Sequence, residues 1–272
     1  MSSAPSLRQR AYEHIQRKIL CGDLASGNVV SELSLAREIG ISRTPVREAI
    51  QHLEHDGVLE QVPRYGTVVR RLERRDLVEL FELRQALEPF AVARAAGHID
   101  PEGVERLTRL CNEIRTIAAD LRAEGLALAD ADRMRRLLSA DMAFHLLLIR
   151  ASGNGRMVKI IADSRLLTRI FATRRQAHDL KVLDDTYRDH MQILKAVKNG
   201  DGGTAQRKMQ QHIADSFEQA LAHFDRTQQL GSDTQSLNLP SDLLDELNEM
   251  EREASAPAKR KAARTTIRKS KR

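Results

Sequence analysis

The chain contains no tryptophan, and aromatic residues make up only 3% of its 272 positions. So thin a supply argues against a carbohydrate-stacking groove and against an aromatic clamp for a large cofactor. Cysteine is scarce too: Cys21 and Cys111 stand far apart and form no Cys-x-x-Cys pair. That spacing argues against a disulfide scaffold or a zinc finger and suits a reducing compartment. No apolar run approaches the roughly 18–20 residues that a membrane-spanning helix needs. The opening MSSAPSLRQR lacks the apolar stretch of a secretory signal. A cytoplasmic location without a membrane partner is therefore expected. What the chain does have is 41% hydrophobic and 30% charged residues. That balance, over this length, suits two modest globular domains.

The net charge of +6 is unevenly placed. Residues 251–272 hold nine Lys/Arg against two Glu, and residues 1–75 hold twelve Lys/Arg against nine Asp/Glu. The stretch between them is mildly acidic. Attraction to phosphate is expected of the two ends and not of the middle.

Local signals divide the chain. From Leu7 to Leu20, residues Leu7, Ala11, Ile15, Ile19 and Leu20 share one helical face. Ser31 caps a short helix carrying Leu33, Leu35, Ala36 and Ile39, and Gly40 ends it. Ser42-Arg43-Thr44-Pro45 opens another, whose buried stripe is Val46, Ala49, Ile50 and Leu53. Two short runs, 58–62 and 67–71, flank Pro63-Arg64-Tyr65-Gly66 and predict a hairpin. Beyond Glu73 the period is helical, with helices expected over 76–97, 101–125, 129–152, 155–178, 181–199 and 202–224. Short Gly- and Asn-bearing breaks between them imply an antiparallel bundle. Residues 226–240 have linker composition, 241–253 could form one acidic helix, and the rest is a low-complexity basic tail. The fold expected is mainly α. A winged helix-turn-helix spans 7–72, an all-helical bundle spans 76–225, and 226–272 form a linker, a short acidic helix and a disordered basic tail.

Three short helices and a hairpin are the pattern of a winged helix-turn-helix, in which the second helix of the turn opens with exposed Arg43, Thr44 and Arg47. A recognition helix meets base edges with those turns. Arginine suits bidentate contact with guanine, while serine and threonine suit phosphate oxygens. Arg64 and Gly66 at the wing are placed to lie on the backbone or in the minor groove. A winged helix that binds protein instead, with these arginines merely solvated, is the plainer alternative.

In the bundle, Asp141 and His145 are one helical turn apart, and His190 and His212 lie near the middles of two later helices. One carboxylate and three imidazoles suffice for a divalent metal held between facing helices. Zinc suits such ligands, with nickel and manganese as alternatives. His178 is the rival ligand. His14, His52, His55, His98 and His223 are expected to be ordinary surface or core residues.

The stretch Glu32-x-x-Leu35-Ala36-x-x-x-Gly40-Ile41-Ser42-Arg43-Thr44-Pro45-Val46-Arg47-Glu48-Ala49-Ile50-x-x-Leu53-x-x-x-Gly57-Val58-Leu59 resembles the DNA-binding module of GntR-family bacterial transcription regulators. Arg64-Tyr65-Gly66-Thr67-x-Val69 resembles that family's wing tip. The resemblance implies that Ser42, Arg43, Thr44, Arg47 and Gly66 face DNA. Many members carry a further base-reading arginine after the acidic residue at 32; here Leu33 stands there and cannot make that hydrogen bond. Leu80-Phe81-Glu82-Leu83-Arg84-x-x-Leu87-Glu88-Pro89 is similar to the opening of the FCD effector-binding domain of the FadR subfamily. Asp141-x-x-Phe144-His145-x-x-Leu148, His190-x-x-Ile193-Leu194 and His212-Ile213 are similar to its later helices. Metal-binding members place one Asp and three His at Asp141, His145, His190 and His212, so the resemblance implies a metal there.

It also implies a small organic acid or sugar acid as effector, with Arg84 the candidate contact for its carboxylate. A salt bridge from Arg84 to Glu88 is the competing role. A homodimeric repressor on a near-palindromic operator follows from the same likeness, cytoplasmic and associated with the nucleoid. Linker arginines Arg70, Arg71, Arg74 and Arg75 stand where phosphates could be touched. Two other functions fit the same residues. One is a metal-dependent hydrolase, for which Asp189 is a poor base because adjacent helical residues point about 100° apart. The other is a DNA-compacting protein acting through the basic tail, which in either case is expected to add salt-sensitive affinity.

Overall fold

The computed structural model describes residues 5–20, 23–71, 73–161 and 179–229. Its first module contains α1 (Leu7–Leu20), α2 (Glu32–Ile39), α3 (Arg43–His55), β1 (Leu59–Val62) and β2 (Gly66–Val69). Ser31 caps α2 by accepting from the Ser34 N–H, and Gly40 ends it at φ 74°, a left-handed conformation that costs glycine nothing. The Gly40 and Ile41 N–H groups both return to the Ala36 carbonyl, so the chain reverses within three residues into α3. Ala11 and Ile15 of α1, Leu35 and Ala36 of α2, and Val46, Ala49, Ile50 and Leu53 of α3 form one core. At its edge the Lys18 ammonium, then His14, hold the Glu38 carboxyl down at about 2, tying α1 to α2.

β1 and β2 pair antiparallel from Leu59↔Val69 to Val62↔Gly66. The preceding loop adds to this ribbon: Val30 N–H donates to Thr67 and Gly27 N–H to Val69. At the wing tip Tyr65 N–H donates to the Val62 carbonyl, with Pro63 and Arg64 at the corners. Among the described residues Arg64 is the one non-glycine with positive φ, at 70°. An L-residue there costs about 1 kcal/mol, a strain consistent with a side chain kept for contact. Arg64→Gly is expected to raise stability by roughly 0.5–1 kcal/mol while weakening DNA binding. Urea unfolding and a duplex titration would check both; stronger DNA binding would remove Arg64 from the interface.

The second module contains α4 (Arg74–Ala95), α5 (Pro101–Glu124), α6 (Ala131–Ala151), a helical run over 155–161, α7 (Leu180–Lys198) and α8 (Gly202–Gln229). Asp100, Asp130 and Asp179 cap α5, α6 and α7, each accepting the N–H of the third residue along. α5 packs on α6 and on α7, α7 on α8, and α4 along α8. Cys111 is buried in this core, and burial pushes its thiol up to about 12, so it acts as a small hydrophobe. No helix among the described residues is long and apolar enough to cross a membrane.

The structure departs from the sequence expectations at several ends. α4 starts two residues earlier than expected, because Glu73 and Asp76 form a capping box. α8 runs on to Gln229, and within it Asp225 ion-pairs with Arg74 across 3.1 Å. Arg70 pairs with Asp76 and Arg75 with Glu79, so three of the linker arginines already hold carboxylates. Residues 162–178 of one expected helix, the acidic segment 241–253, the basic tail and Cys21 lie outside the described residues. The modules also share packing: Met142 and Leu146 of α6 are buried in the cluster formed by α1, α2 and α3.

Candidate DNA-reading surface and metal centre

Ser42 is the N-cap of α3, in extended conformation with no side-chain cap bond, leaving its hydroxyl for another partner. Ser42, Arg43, Thr44 and Arg47 are all exposed, whereas Val46, Ala49, Ile50 and Leu53 on the other face are buried. The amphipathic period thus divides a buried face from an exposed basic face on a single helix. Arg64 is exposed at the wing tip, and Gly66 sits at φ 95°, where a glycine is favoured. Leu33 in α2 is 47% exposed, an apolar side chain at the surface. Arg43 and Arg47 do not stand alone: both lie on the carboxylate of Glu32.

In the bundle, α6 supplies Asp141 and His145, α7 supplies His190, and α8 supplies His212. One donor atom from each lies within 4.8 Å of all the others. The three imidazoles are buried, while the Asp141 side chain is 29% exposed. Asp141 Oδ1 lies 3.6 Å from His145 Nε2 and 3.5 Å from His190 Nε2, beyond hydrogen-bond range. His145 Nε2 and both ring nitrogens of His190 have no hydrogen-bond partner. Buried polar atoms without partners are costly, and the two Nε2 atoms that face Asp141 Oδ1, those of His145 and His190, fit ligands of a divalent ion. The donor set, one carboxylate and three imidazoles, fits zinc chemistry.

The surroundings favour ligation. Burial drives the His190 imidazole down to about 3, against the opposing pull of Asp141. Burial likewise lowers His212, with Asp189 opposing. Neutral imidazoles are the form a metal requires. Phe144 lies flat on the His190 ring at 4.0 Å between centroids and fixes its plane. One carboxylate holds the outer nitrogen of His145 by a hydrogen bond, and a second lies at ion-pair distance from that of His212. Glu88 Oε2 sits 2.5 Å from His145 Nδ1, and Asp189 Oδ2 sits 3.5 Å from His212 Nδ1. Burial pushes the Asp189 carboxyl up, but His212 and Arg188 outweigh it, so it remains below its ordinary value. A carboxylate on Nδ1 selects the tautomer that presents Nε2 inward.

Arg84, expected at the effector, is buried with its Nε 2.8 Å from Glu88 Oε1, the local i,i+4 pair. His178 lies outside the described residues. His14 lies against the Glu38 carboxylate and His52 against that of Asp56, and His98 hydrogen-bonds the Arg94 carbonyl. Sequence reasoning missed the part of Glu88 in orienting His145 and that of Asp189 in orienting His212. A charged residue among Leu87, Pro89, Ala91 and Val92 was the available signal for Glu88.

Comparison with known proteins identifies both modules. Residues 7–69 match the domain described as "Bacterial regulatory proteins, gntR family", and residues 79–215 match the FCD domain. A "Probable D-xylose utilization operon transcriptional repressor" of Paenarthrobacter nicotinovorans is 32% identical over 78% of this chain and 87% of its own. The "Gluconate operon transcriptional repressor" of Bacillus subtilis is 26% identical over 79% of this chain and 85% of its own. The solved structure of E. coli McbR/YncC shares the fold, with a TM-score of 0.63 at 22% identity, covering 79% of this chain and 99% of that one. The chain therefore belongs to the GntR family of bacterial regulatory proteins, with a C-terminal FCD domain, and is a DNA-binding transcription regulator rather than an enzyme.

Proposed function

We propose that this chain is a homodimeric repressor whose grip on a near-palindromic operator is set by a small carboxylate, of the sugar-acid class, captured at a divalent ion in the FCD domain. Ser42, Arg43, Thr44 and Arg47 read the major groove, and Arg64 and Gly66 lie on the backbone. Asp141, His145, His190 and His212 hold the ion, zinc first. Bound there, it would supply positive charge and open coordination positions for an acid. Arg84, whose Nε is already on Glu88, would be the second contact for the effector's carboxylate. Two relatives named as repressors, of a D-xylose utilization operon and of a gluconate operon, support repression, and gluconate is itself a sugar acid.

The observation that carries the coupling is the placement of α6. Asp141 and His145 lie in the metal cluster, and Met142 and Leu146, the next residue after each, are buried in the core of the DNA-binding module. One rigid helix therefore touches both sites, and a shift that optimises ligation moves the surface on which the recognition module rests. The effector acts only as far as it prefers one of the two arrangements.

Two experiments test this reading. With a duplex selected from a random library, Arg43→Ala and Arg47→Ala should each cost about 1–3 kcal/mol and relax the preference. Equal losses on every duplex would reduce both to phosphate contacts. For the coupling, zinc-loaded and chelator-treated protein should differ in operator affinity. In Leu146→Ala that difference should shrink with zinc stoichiometry unchanged, and an undiminished difference would remove α6 from the path.

A further inference from the structure

Glu32 opens α2, not the recognition helix, and no base-reading role attaches to it. Yet its carboxylate takes three charge-assisted hydrogen bonds from α3. Arg47 Nε donates to Oε1 at 2.9 Å, Arg47 Nη2 to Oε2 at 3.0 Å, and Arg43 Nη2 to Oε2 at 2.9 Å. The Arg43 and Arg47 side chains are 58% and 56% exposed, while that of Glu32 is 25% exposed. Two arginines four residues apart share a helix face and repel; left alone, each long side chain samples many rotamers. The carboxylate removes the repulsion and holds Arg47 in a fork with planar, defined geometry. The Arg47 guanidinium, then Arg43, hold the Glu32 carboxyl down at about 2, so it stays charged throughout the physiological range.

The stoichiometry of the fork matters. A guanidinium has five N–H donors, and Glu32 occupies the edge made by Nε and Nη2 of Arg47. The end-on edge, formed by the two terminal nitrogens, is the one left for a guanine O6/N7 pair. We propose that Glu32 is a specificity-determining positioning residue: it locks Arg47, and with it Arg43, so that only the end-on edge meets a base, and its negative charge discourages indiscriminate binding to phosphate. A flexible guanidinium accepts any phosphate, whereas a fixed one rewards the base pair that matches it. This inference rests on Arg43 and Arg47 being base readers.

The test compares the full chain with Glu32→Gln and Glu32→Asp. Each protein is titrated with a duplex enriched from a random library by the unaltered chain, and with a scrambled duplex, over a salt series. For Glu32→Gln the structure leads us to expect tighter binding to the scrambled duplex, a salt slope steeper by about one unit, and a specificity ratio reduced at least about tenfold. Glu32→Asp keeps the charge but is one methylene too short to hold both arginines. Its salt slope should stay unchanged while its specificity ratio falls. If Glu32→Asp discriminates as well as the original, Glu32 is no positioning residue. If Glu32→Gln binds both duplexes more tightly by the same factor, it acts only as a charge. Ratios and slopes unchanged in both variants would leave a surface ion pair and overturn the inference. Thermal melts confirm that the variants remain folded. Failure of the unaltered chain to enrich any sequence would instead overturn the base-reading role of the arginines.

Discussion

Replacing His190 with alanine is expected to empty the metal centre and to lower the stability of the FCD domain by about 4 kcal/mol when zinc is present at a thousandfold excess over its dissociation constant. The size follows from linkage: an ion that binds only the folded state stabilises it by that amount. His190 is fully buried and stacked on Phe144, so its loss also leaves a void against that ring. Chelator-treated protein should show most of the same drop, and His190→Ala should be indifferent to the chelator. Metal content measured on purified protein, together with the melting curve of the bundle, checks this. Zinc retained at full stoichiometry would show the ligand set to be wrong. The core of the DNA-binding module comes mainly from α1, α2, α3 and the wing, with only Met142 and Leu146 from α6, so the module should keep its helical signal. The sign of the pH dependence also follows. In metal-free protein the His190 imidazole stays neutral down to about 3, whereas its unfolded value is 6.5. Below 6.5 the unfolded chain takes up the extra proton, so stability should fall as pH drops across that window.

Glu88→Ala should be nearly as damaging, by a different route. Glu88 is fully buried and accepts from Arg84 on one oxygen while facing His145 with the other. Its removal takes the carboxylate from a guanidinium that is only 6% exposed, and breaking such a buried pair costs about 3–5 kcal/mol. It also frees the tautomer and plane of His145, which is expected to weaken zinc binding by about 10–100-fold. The double variant Arg84→Met/Glu88→Leu separates these effects. Exchanging both charges for apolar groups should restore much of the stability, whereas zinc affinity should stay low. Urea unfolding and a competitive zinc titration would measure each. Full recovery of zinc affinity in the double variant would show that Glu88 does not orient His145.

Much of the fold is legible in the sequence. Ser31 with Gly40, and Ser42 with the stripe Val46, Ala49, Ile50 and Leu53, are local signals within one or two helical turns. The structure has α2 and α3 where those signals put them. The ends are read less well, since capping can move them by a turn: Glu73 and Asp76 lengthen α4, and Asp225 lies within a helix that continues to Gln229. At the metal centre the donor types are equally legible, but the sorting of charged side chains around them is not. Arg84 has the chemistry to meet a carboxylate, and the structure has one beside it, that of Glu88. Asp189, one residue and about 100° of helix away from His190, lies beside the Nδ1 of His212.

What the sequence determined by itself is everything governed by short range: the helical period, the caps, the left-handed turn at Gly40, the exposed arginines of α3, and the pairing of Asp141 with His145 on one face. These depend on neighbours a few residues away, so a one-dimensional pattern carries them. Only the tertiary structure decided the rest. It set Glu88 against His145 across 57 positions, buried Met142 and Leu146 among the helices of the other module, and drew Arg43 and Arg47 onto Glu32. Such partners are chosen by how helices pack and by which charges desolvation forces together, and the spacing of residues along the chain holds no record of either.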